Sequence, residues 1–347
     1  MKWRFSLALL VAGSAPATTI VPPENLGELA QHAQVVVLAQ SLQQEVRPRG
    51  PLRFTVTRFR VLEAVKGSVP ETLEVEVPGG SFGERTWSVP GFPKFQLGEV
   101  YLLFLDMTPR GTWVPKVASY GILRRVLGTD GSHLLTPLDE EAGLETFPRA
   151  DGILPETPEV YGELKLLAHI KDVLAGKARW DRRQVVAPRQ VVPLKARSFA
   201  PPGACTYITS PYPRWPYNTP SPPGTVVMYA QDTGDPSYPN AFTAVASAIA
   251  MWMGIPGTSL SLAYGGPVAY TLPCTSGQDT PGPDDPVVVF NDPCGDIADP
   301  PCPGVLAFGG PWWSGTHTFD GMSWGSIVSW FVVVNNGAGC IGTPGYQ

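Results

Sequence analysis

The chain has 347 residues, which is enough for two domains of about 100 to 200 residues each. Its net charge of -5 is unevenly distributed: residues 1–200 hold 24 Lys or Arg and 21 Asp or Glu, whereas residues 201–347 hold one Arg, nine Asp, no Lys and no Glu. This acidic second part argues against nucleic acid or an anionic membrane surface as a partner.

The first residues have the layout of a signal peptide. Lys2 and Arg4 precede an apolar run at residues 5–12, and the small-residue triplet A-P-A ends at Ala17. This order predicts cleavage after Ala17 and a secreted or periplasmic location; a core strand at the N-terminus is the alternative. The run is too short to span a bilayer, and no later segment is apolar for long enough, so we expect no membrane span.

Residues 18–180 are predicted to form an antiparallel β-barrel-like domain with one helix. Short runs of strand-forming residues recur between turn signals such as Lys66-Gly67, and this spacing is typical of a small barrel or sandwich. The predicted strands are residues 34–40, 54–65, 73–77, 100–105 and 113–127. An amphipathic helix is predicted at residues 160–174 with a stop at Gly176. Its expected apolar face is Leu164, Leu167, Ile170, Val173 and Leu174.

Two fragments of this region are similar to a known barrel. They are V-L-E-A-V-K-G at residues 61–67 and F-Q-L-G-E-V-Y-L-L-F-L at residues 95–105. The pattern resembles the oligonucleotide/oligosaccharide-binding type of barrel in netrin-like and tissue-inhibitor-like modules. The cysteines that usually staple such modules are absent from this region.

Residues 181–224 are rich in Pro, Arg and Ser and are predicted to be a linker. Residues 225–347 are predicted to form a second domain, an α+β mixed sheet with one long helix. The helix begins after Asn240 and ends at Gly254, with an apolar stripe that includes Phe242 and Ile249. Strands are predicted at residues 225–229, 260–264, 287–291, 304–309 and 326–335.

The last predicted strand, S-I-V-S-W-F-V-V-V-N at residues 326–335, is β-branched and aromatic throughout. It is too short for a helix and too apolar for a sheet edge, so we expect a buried central strand.

The second region contains five short fragments whose order is informative. It contains R-W at Arg214, V-V-M-Y, L-S-L-A-Y-G-G, V-V-V-F-N-D-P and G-V-L-A-F-G-G-P, in that order. These fragments and the order of the predicted elements are similar to secreted bacterial matrixin-like zinc peptidases of the metzincin class. The resemblance implies an extended peptide or protein substrate that pairs with the Gly-flanked edge strand. In this sequence that strand is Gly304, Val305, Leu306, Ala307, Phe308 and Gly309.

The family motif H-E-x-x-H-x-x-G-x-x-H is absent from the sequence. In the family it supplies the zinc ligands and the Glu that takes a proton from bound water. The four histidines here are dispersed, so we assign no catalytic and no metal-binding residue. We expect a chain that stops before the zinc-binding helix, binds no cofactor itself and is inactive alone, with zinc belonging to the full-length family. A non-enzymatic secreted binding or adhesion protein is the alternative.

Three other patterns suggest sites. Cys294 and Cys302 flank a Pro-rich loop and are the expected disulfide pair of the five cysteines, although the spacing leaves the connectivity open. Calcium is a possible ligand of the Asp-rich segment, with turn capping as the alternative. Its acidic residues are Asp284, Asp285, Asp292, Asp296 and Asp299. G-M-S-W-G at residues 321–325 matches a nucleophile elbow, but a strand follows it where a helix is required, so Ser323 is interpreted as a turn residue.

Overall fold

A computed structural model describes residues 18–138, 144–146, 153–157, 159–193, 213–214, 225–236, 238–253, 261–280, 285–299, 303–319 and 321–336. The predicted signal peptide and most of the predicted linker lie outside these residues, as do Cys302 and Asp284. The described residues are rich in strands, which form two sheets, and they contain three α-helices.

The helices are α1 (Leu26–His32), α2 (Glu163–Leu174) and α3 (Ala241–Met253). The strands before α2 are β1 (Thr18–Val21), β2 (Val35–Arg49), β3 (Leu52–Lys66), β4 (Thr72–Pro78), β5 (Gly80–Phe82), β6 (Arg85–Trp87), β7 (Val100–Met107), β8 (Trp113–Pro115), β9 (Ile122–Leu127), β10 (His133–Pro137), β11 (Leu144–Thr146) and β12 (Tyr161–Gly162). Those after α2 are β13 (Pro213–Arg214), β14 (Val226–Gln231), β15 (Leu262–Val268), β16 (Val287–Val289), β17 (Gly304–Phe319) and β18 (Met322–Val334).

The first sheet closes into a ring of five strands. They pair in the order β2-β3-β4-β8-β7, and β7 pairs again with β2. Every contact in this ring is antiparallel except the short parallel one between β4 and β8. We call these five strands the ring; β9, β10 and β12 extend the same sheet from β7.

The second sheet, here called the mixed sheet, contains strands from both ends of the chain. Its main path is β11-β1-β17-β18-β16-β14-β15. The strands β18, β16, β14 and β15 are parallel to one another, and β17 is antiparallel to β18. The hairpin of β5 and β6 also pairs with β17.

The ring and the mixed sheet share one hydrophobic core. Trp87 of β6 is stacked on Trp312 of β17 with 5.8 Å between ring centroids, and it contacts Phe54 of the ring edge-on at 6.4 Å. Phe308 of β17 contacts Trp87 and Phe92 at 5.9 and 6.0 Å. These aromatic side chains belong to one continuous cluster of buried residues that extends from β1 to β18. The predicted domain boundaries stay predictions, and strands from both sides of the predicted linker meet in one sheet.

The central strand predicted near the end of the sequence is β18, which lies between β17 and β16. Its residues alternate, with Phe331 and Val333 completely buried in the shared core and Val328 about half exposed, at 51%. On the other face, α3 covers Val332 and Val334 through a small cluster that contains Phe242. Each face of β18 packs in a different hydrophobic cluster. Apolar residues are therefore needed at both the odd and the even positions of the strand.

Most predicted elements are found, with differences at their ends. The predicted strand at residues 113–127 is two strands, because a 3-10 turn at residues 118–121 separates β8 from β9. In α2, the predicted apolar face is confirmed at Leu167, Ile170 and Val173, but Leu164 is 80% exposed and the buried Leu166 was missed. The predicted stop is confirmed: α2 ends at Leu174 and Gly176 has a φ of 68°. Helix α1, capped by the Asn25 side chain, was not predicted.

Candidate functional site

The candidate substrate strand, residues 304–309, forms the first part of β17. In the structure its outer side is paired with β1 in antiparallel orientation. Thr18 lies opposite Phe308 and Val21 lies opposite Gly304, with an irregularity between Thr19 and Ile20. Ile20 and Thr18 are completely buried, and the Thr18 hydroxyl donates to the Pro90 carbonyl at 2.5 Å.

The adjoining part of β17 is covered as well. Trp312 pairs with Trp87 of β6, and the Trp87 indole N–H donates to the Gly310 carbonyl at 3.2 Å. A Cβ on Gly310 would lie 1.8 Å from the Ser88 carbonyl oxygen, and one on Gly309 would lie 2.4 Å from the Phe331 carbonyl oxygen. This close approach of backbones accounts for the two glycines. The predicted strand is therefore not at the edge of the sheet, because β1 pairs with its outer side and β11 lies beyond β1. Its role in substrate binding stays a prediction.

A cluster of buried charges joins the ring to the mixed sheet. The guanidinium of Arg49, at the end of β2, donates to Glu76 of β4 at 2.8 Å and to Asp296, which follows β16. All three side chains are less than one-tenth exposed. The guanidinium also lies 4.2 Å from the ring centroid of Phe54. A buried cation with two carboxylates and an aromatic face is well compensated.

The turn between β2 and β3, together with the strand residues on either side of it, is here called the hairpin tip (residues 48–53). Arg53, completely buried, forms an ion pair with Asp279 and lies 4.9 Å from the centroid of a Trp312 ring. The Gly277 N–H donates to the Pro48 carbonyl at 2.9 Å. Gly50 has a φ of 56°, and a Cβ there would lie 2.1 Å from the Pro273 carbonyl oxygen. Backbone and side chains of the hairpin tip thus both bind the segment after β15.

Within the described residues, two carboxyl oxygens near this cluster have no hydrogen-bond partner. They are Oδ1 of Asp292 and Oδ2 of Asp296, both buried. The other oxygen of Asp292 accepts from the Ile297 N–H at 2.7 Å. Burial, reinforced by the negative charge of Asp296, raises the pKa of Asp292 to about 7. Burial also raises the pKa of Asp296, against the opposing charge of Arg49.

The disulfide links Cys274 and Cys294, so the predicted pairing of Cys294 with Cys302 was wrong. Proximity in sequence favoured Cys302. In the fold, Cys274 follows β15 and Cys294 follows β16, and both strands run parallel to β14. Their carboxyl ends therefore meet at one side of the sheet, and the two Cα atoms lie 5.2 Å apart. Arg110, in the loop between β7 and β8, donates to both cysteine carbonyls at 3.1 and 3.3 Å.

The described residues do not fit a zinc centre. Among them, no three His, Cys, Asp or Glu side chains are grouped as metal ligands. The His169 ring accepts from the Asp181 N–H at 3.0 Å, and the His317 ring contacts the Ser326 hydroxyl at 2.9 Å. His32 and His133 lie on α1 and β10, apart from both.

The serine-hydrolase arrangement is not formed by the described residues. Ser323 lies in β18 opposite Thr318, and His317 contacts Ser326 instead. The interpretation of Ser323 as a turn residue was also wrong, because Ser323 lies in the strand that follows the turn.

The candidate calcium ligands are spread over different environments. Asp285 and Asp299 are exposed, and Asn336 donates to Asp299 at 3.3 Å. Asp292 and Asp296 are buried, and Asp296 is bound to Arg49. Calcium binding stays a prediction.

No family model matches the chain, and searches of the curated proteins and of the solved structures found no match either. Within the part of the chain that the structure describes, no helix has the length and hydropathy needed to cross a membrane. The assignment of a function therefore rests on the residues and the fold.

Sequence reasoning missed the buried charges. Arg49 and Arg53 flank Gly50-Pro51, and charged residues beside a turn ordinarily point into solvent. Their partners Asp296 and Asp279 lie 247 and 226 residues away. The sequence did carry one signal: buried Phe54 and Leu52 continue directly from the turn, so the turn itself is close to a core.

We predict that Arg49→Ala lowers the free energy of unfolding by about 3 to 5 kcal/mol, because it leaves two carboxylates buried without a cation. Arg58→Ala is the control, since Arg58 pairs with Glu74 on the surface and is half exposed; its cost should stay below about 1 kcal/mol. Urea denaturation of both variants measures the difference. Equal costs would contradict the account of the cluster.

The raised pKa of Asp292 predicts a pH dependence. The folded state holds this proton more tightly than the unfolded chain, whose Asp has a pKa of about 4. The stabilising contribution is complete below about pH 4 and is lost as the pH rises through about 7. The side chain of the Asp292→Asn variant cannot ionise. Relative to the unchanged protein, its free energy of unfolding should therefore increase by about 1 to 3 kcal/mol between pH 5 and 8. Asp299→Asn, at an exposed site, serves as the control. Parallel stability curves for Asp292→Asn and the unchanged protein would refute this assignment.

Proposed function

We propose that the chain is an exported protein with the scaffold of a metzincin-like zinc peptidase and that it recognises extended peptides along β17. Hydrolysis at zinc is what the resemblance implies for the family. This chain contributes peptide recognition without cleavage, because its sequence lacks the zinc-binding motif and the described residues group no set of metal ligands.

The observation that carries the proposal is the arrangement around β18. The apolar strand is interior, α3 lies across the face of the sheet beside it, and the Gly-flanked β17 runs antiparallel next to it. A buried central strand and a neighbouring Gly-flanked strand are the features expected from the resemblance. The element order, strand, helix and then four strands, also agrees with it.

Backbone pairing gives the recognition its chemistry. An extended peptide beside a strand gains affinity from main-chain hydrogen bonds and specificity from alternate side chains. Residues 304–308 of β17 are already paired in this way with Thr18–Val21. The outer side of this strand therefore has the geometry that an extended peptide requires.

A binding or adhesion function of the ring is the second candidate. The strand order β2-β3-β4-β8-β7 supports an oligonucleotide/oligosaccharide-binding type of barrel, which uses the loops after its first and fourth strands to bind ligands. Here those loops are the hairpin tip and the β7–β8 loop. Both are packed against residues 273–280 and 291–296, which the disulfide joins and which are here called the disulfide-linked segment. The contacts run through Gly50, Arg53 and Arg110. These contacts engage part of both loops, whereas Pro109 and Gly111 of the β7–β8 loop stay exposed, so ligand binding by the ring is kept as the second candidate.

Denatured casein with photo-crosslinking groups tests the proposal. Peptide mapping should place the cross-links on residues 304–310. They should form slowly, because β1 is paired with this part of β17. No casein should be cleaved, with or without added zinc. The control is a folded globular protein that carries the same crosslinking groups but offers no extended segment. Cross-links on the outer surface of the ring would favour the second candidate. Stoichiometric zinc binding with casein cleavage would overturn the proposed absence of hydrolysis.

A further inference from the structure

Strand β1 differs from the other strands that pair with β17. It has four residues, it precedes all other described residues, and it is inserted between β17 and the three-residue β11. Its ladder is interrupted between Thr19 and Ile20. The next two residues, Pro22 and Pro23, have no backbone N–H, so they cannot extend the ladder as donors.

These features make β1 a shorter and less regular partner of β17 than β18 is. Its ladder with β17 covers four residues, and a short strand opens locally more readily than a long central one. By contrast, β17 and β18 pair along nearly their whole length. Opening of β1 can therefore leave the β17–β18 hairpin intact.

The space that β1 fills has the character of a peptide site. Ile20 and Thr18 are both completely buried. The Thr18 hydroxyl also donates a hydrogen bond to the Pro90 carbonyl. Val305 and Phe308 of β17, which lie opposite Ile20 and Thr18, are buried. A replacing peptide must be extended, must run antiparallel to β17 and must carry a branched apolar side chain at the Ile20 position.

We propose that β17 is a strand-acceptor site and that Thr18–Val21 is its resident intramolecular ligand, which an extended peptide replaces when β1 detaches. The inference rests on the proposed recognition of peptides along β17 and adds its regulation. The partner is an extended peptide with a β-branched residue, bound chiefly through its backbone.

Hydrogen exchange of the unmodified full chain provides the first test. Amides of residues 18–21, and those of residues 304–308 that face β1, should exchange at least tenfold faster than amides of residues 327–333. Equal protection of the two sets would overturn the proposal, because β1 would then open only when the whole protein unfolds.

Peptide binding provides the second test. The probe is a labelled peptide with the sequence of residues 18–25, measured by fluorescence anisotropy. Ile20→Asp in the full chain weakens β1 by burying a charge, so the probe should bind this variant at least tenfold more tightly than the unchanged protein. Leu164→Asp, at an exposed position of α2, should bind like the unchanged protein. A probe with Pro in place of Ile20 should not bind.

Equal probe binding by Ile20→Asp and Leu164→Asp would overturn the proposal, as would a dimer of the unchanged protein formed by exchange of β1. If Ile20→Asp does not fold, the exchange experiment on the unchanged protein decides. Failure of the proposed function is distinguishable: casein would then cross-link elsewhere while the β1 peptide still binds to residues 304–308.

Discussion

The guanidinium of Arg49 lies between a carboxylate of the ring, Glu76, and a carboxylate of the mixed sheet, Asp296. A buried charge tolerates little displacement, because separation from either partner leaves an ion without compensation. The position of the hairpin tip against the disulfide-linked segment is therefore fixed. Arg53 and its ion pair with Asp279 bind the next part of the same segment.

This fixed contact has consequences for both candidate functions. It keeps the hairpin tip and Arg110, in the β7–β8 loop, packed against the disulfide-linked segment. It also brings the β5–β6 hairpin and β1 onto the outer side of β17, where Trp87 and Trp312 stack. The strand that the resemblance associates with substrate is thus covered by the N-terminal part of the same chain. Access to it depends on the short β1 rather than on the longer elements around it.

Local pattern predicts much of this fold. Helix α3 and strand β18 follow from unbroken apolar stripes whose period is plain in the sequence. Contacts between distant segments could not be predicted, because no local pattern reports them. The pairing of Thr18 with Phe308 and the ion pair of Arg49 with Asp296 are of this kind. The disulfide shows the same limit: the parallel strands β15 and β16, not the shorter sequence separation, bring Cys274 to Cys294.

Because the ring and the mixed sheet share one hydrophobic core, we expect them to unfold as one cooperative unit. Differential scanning calorimetry of the purified protein measures this. A single transition whose calorimetric and van't Hoff enthalpies agree is the predicted result. Two resolved transitions, each with its own agreement between the two enthalpies, would contradict the claim.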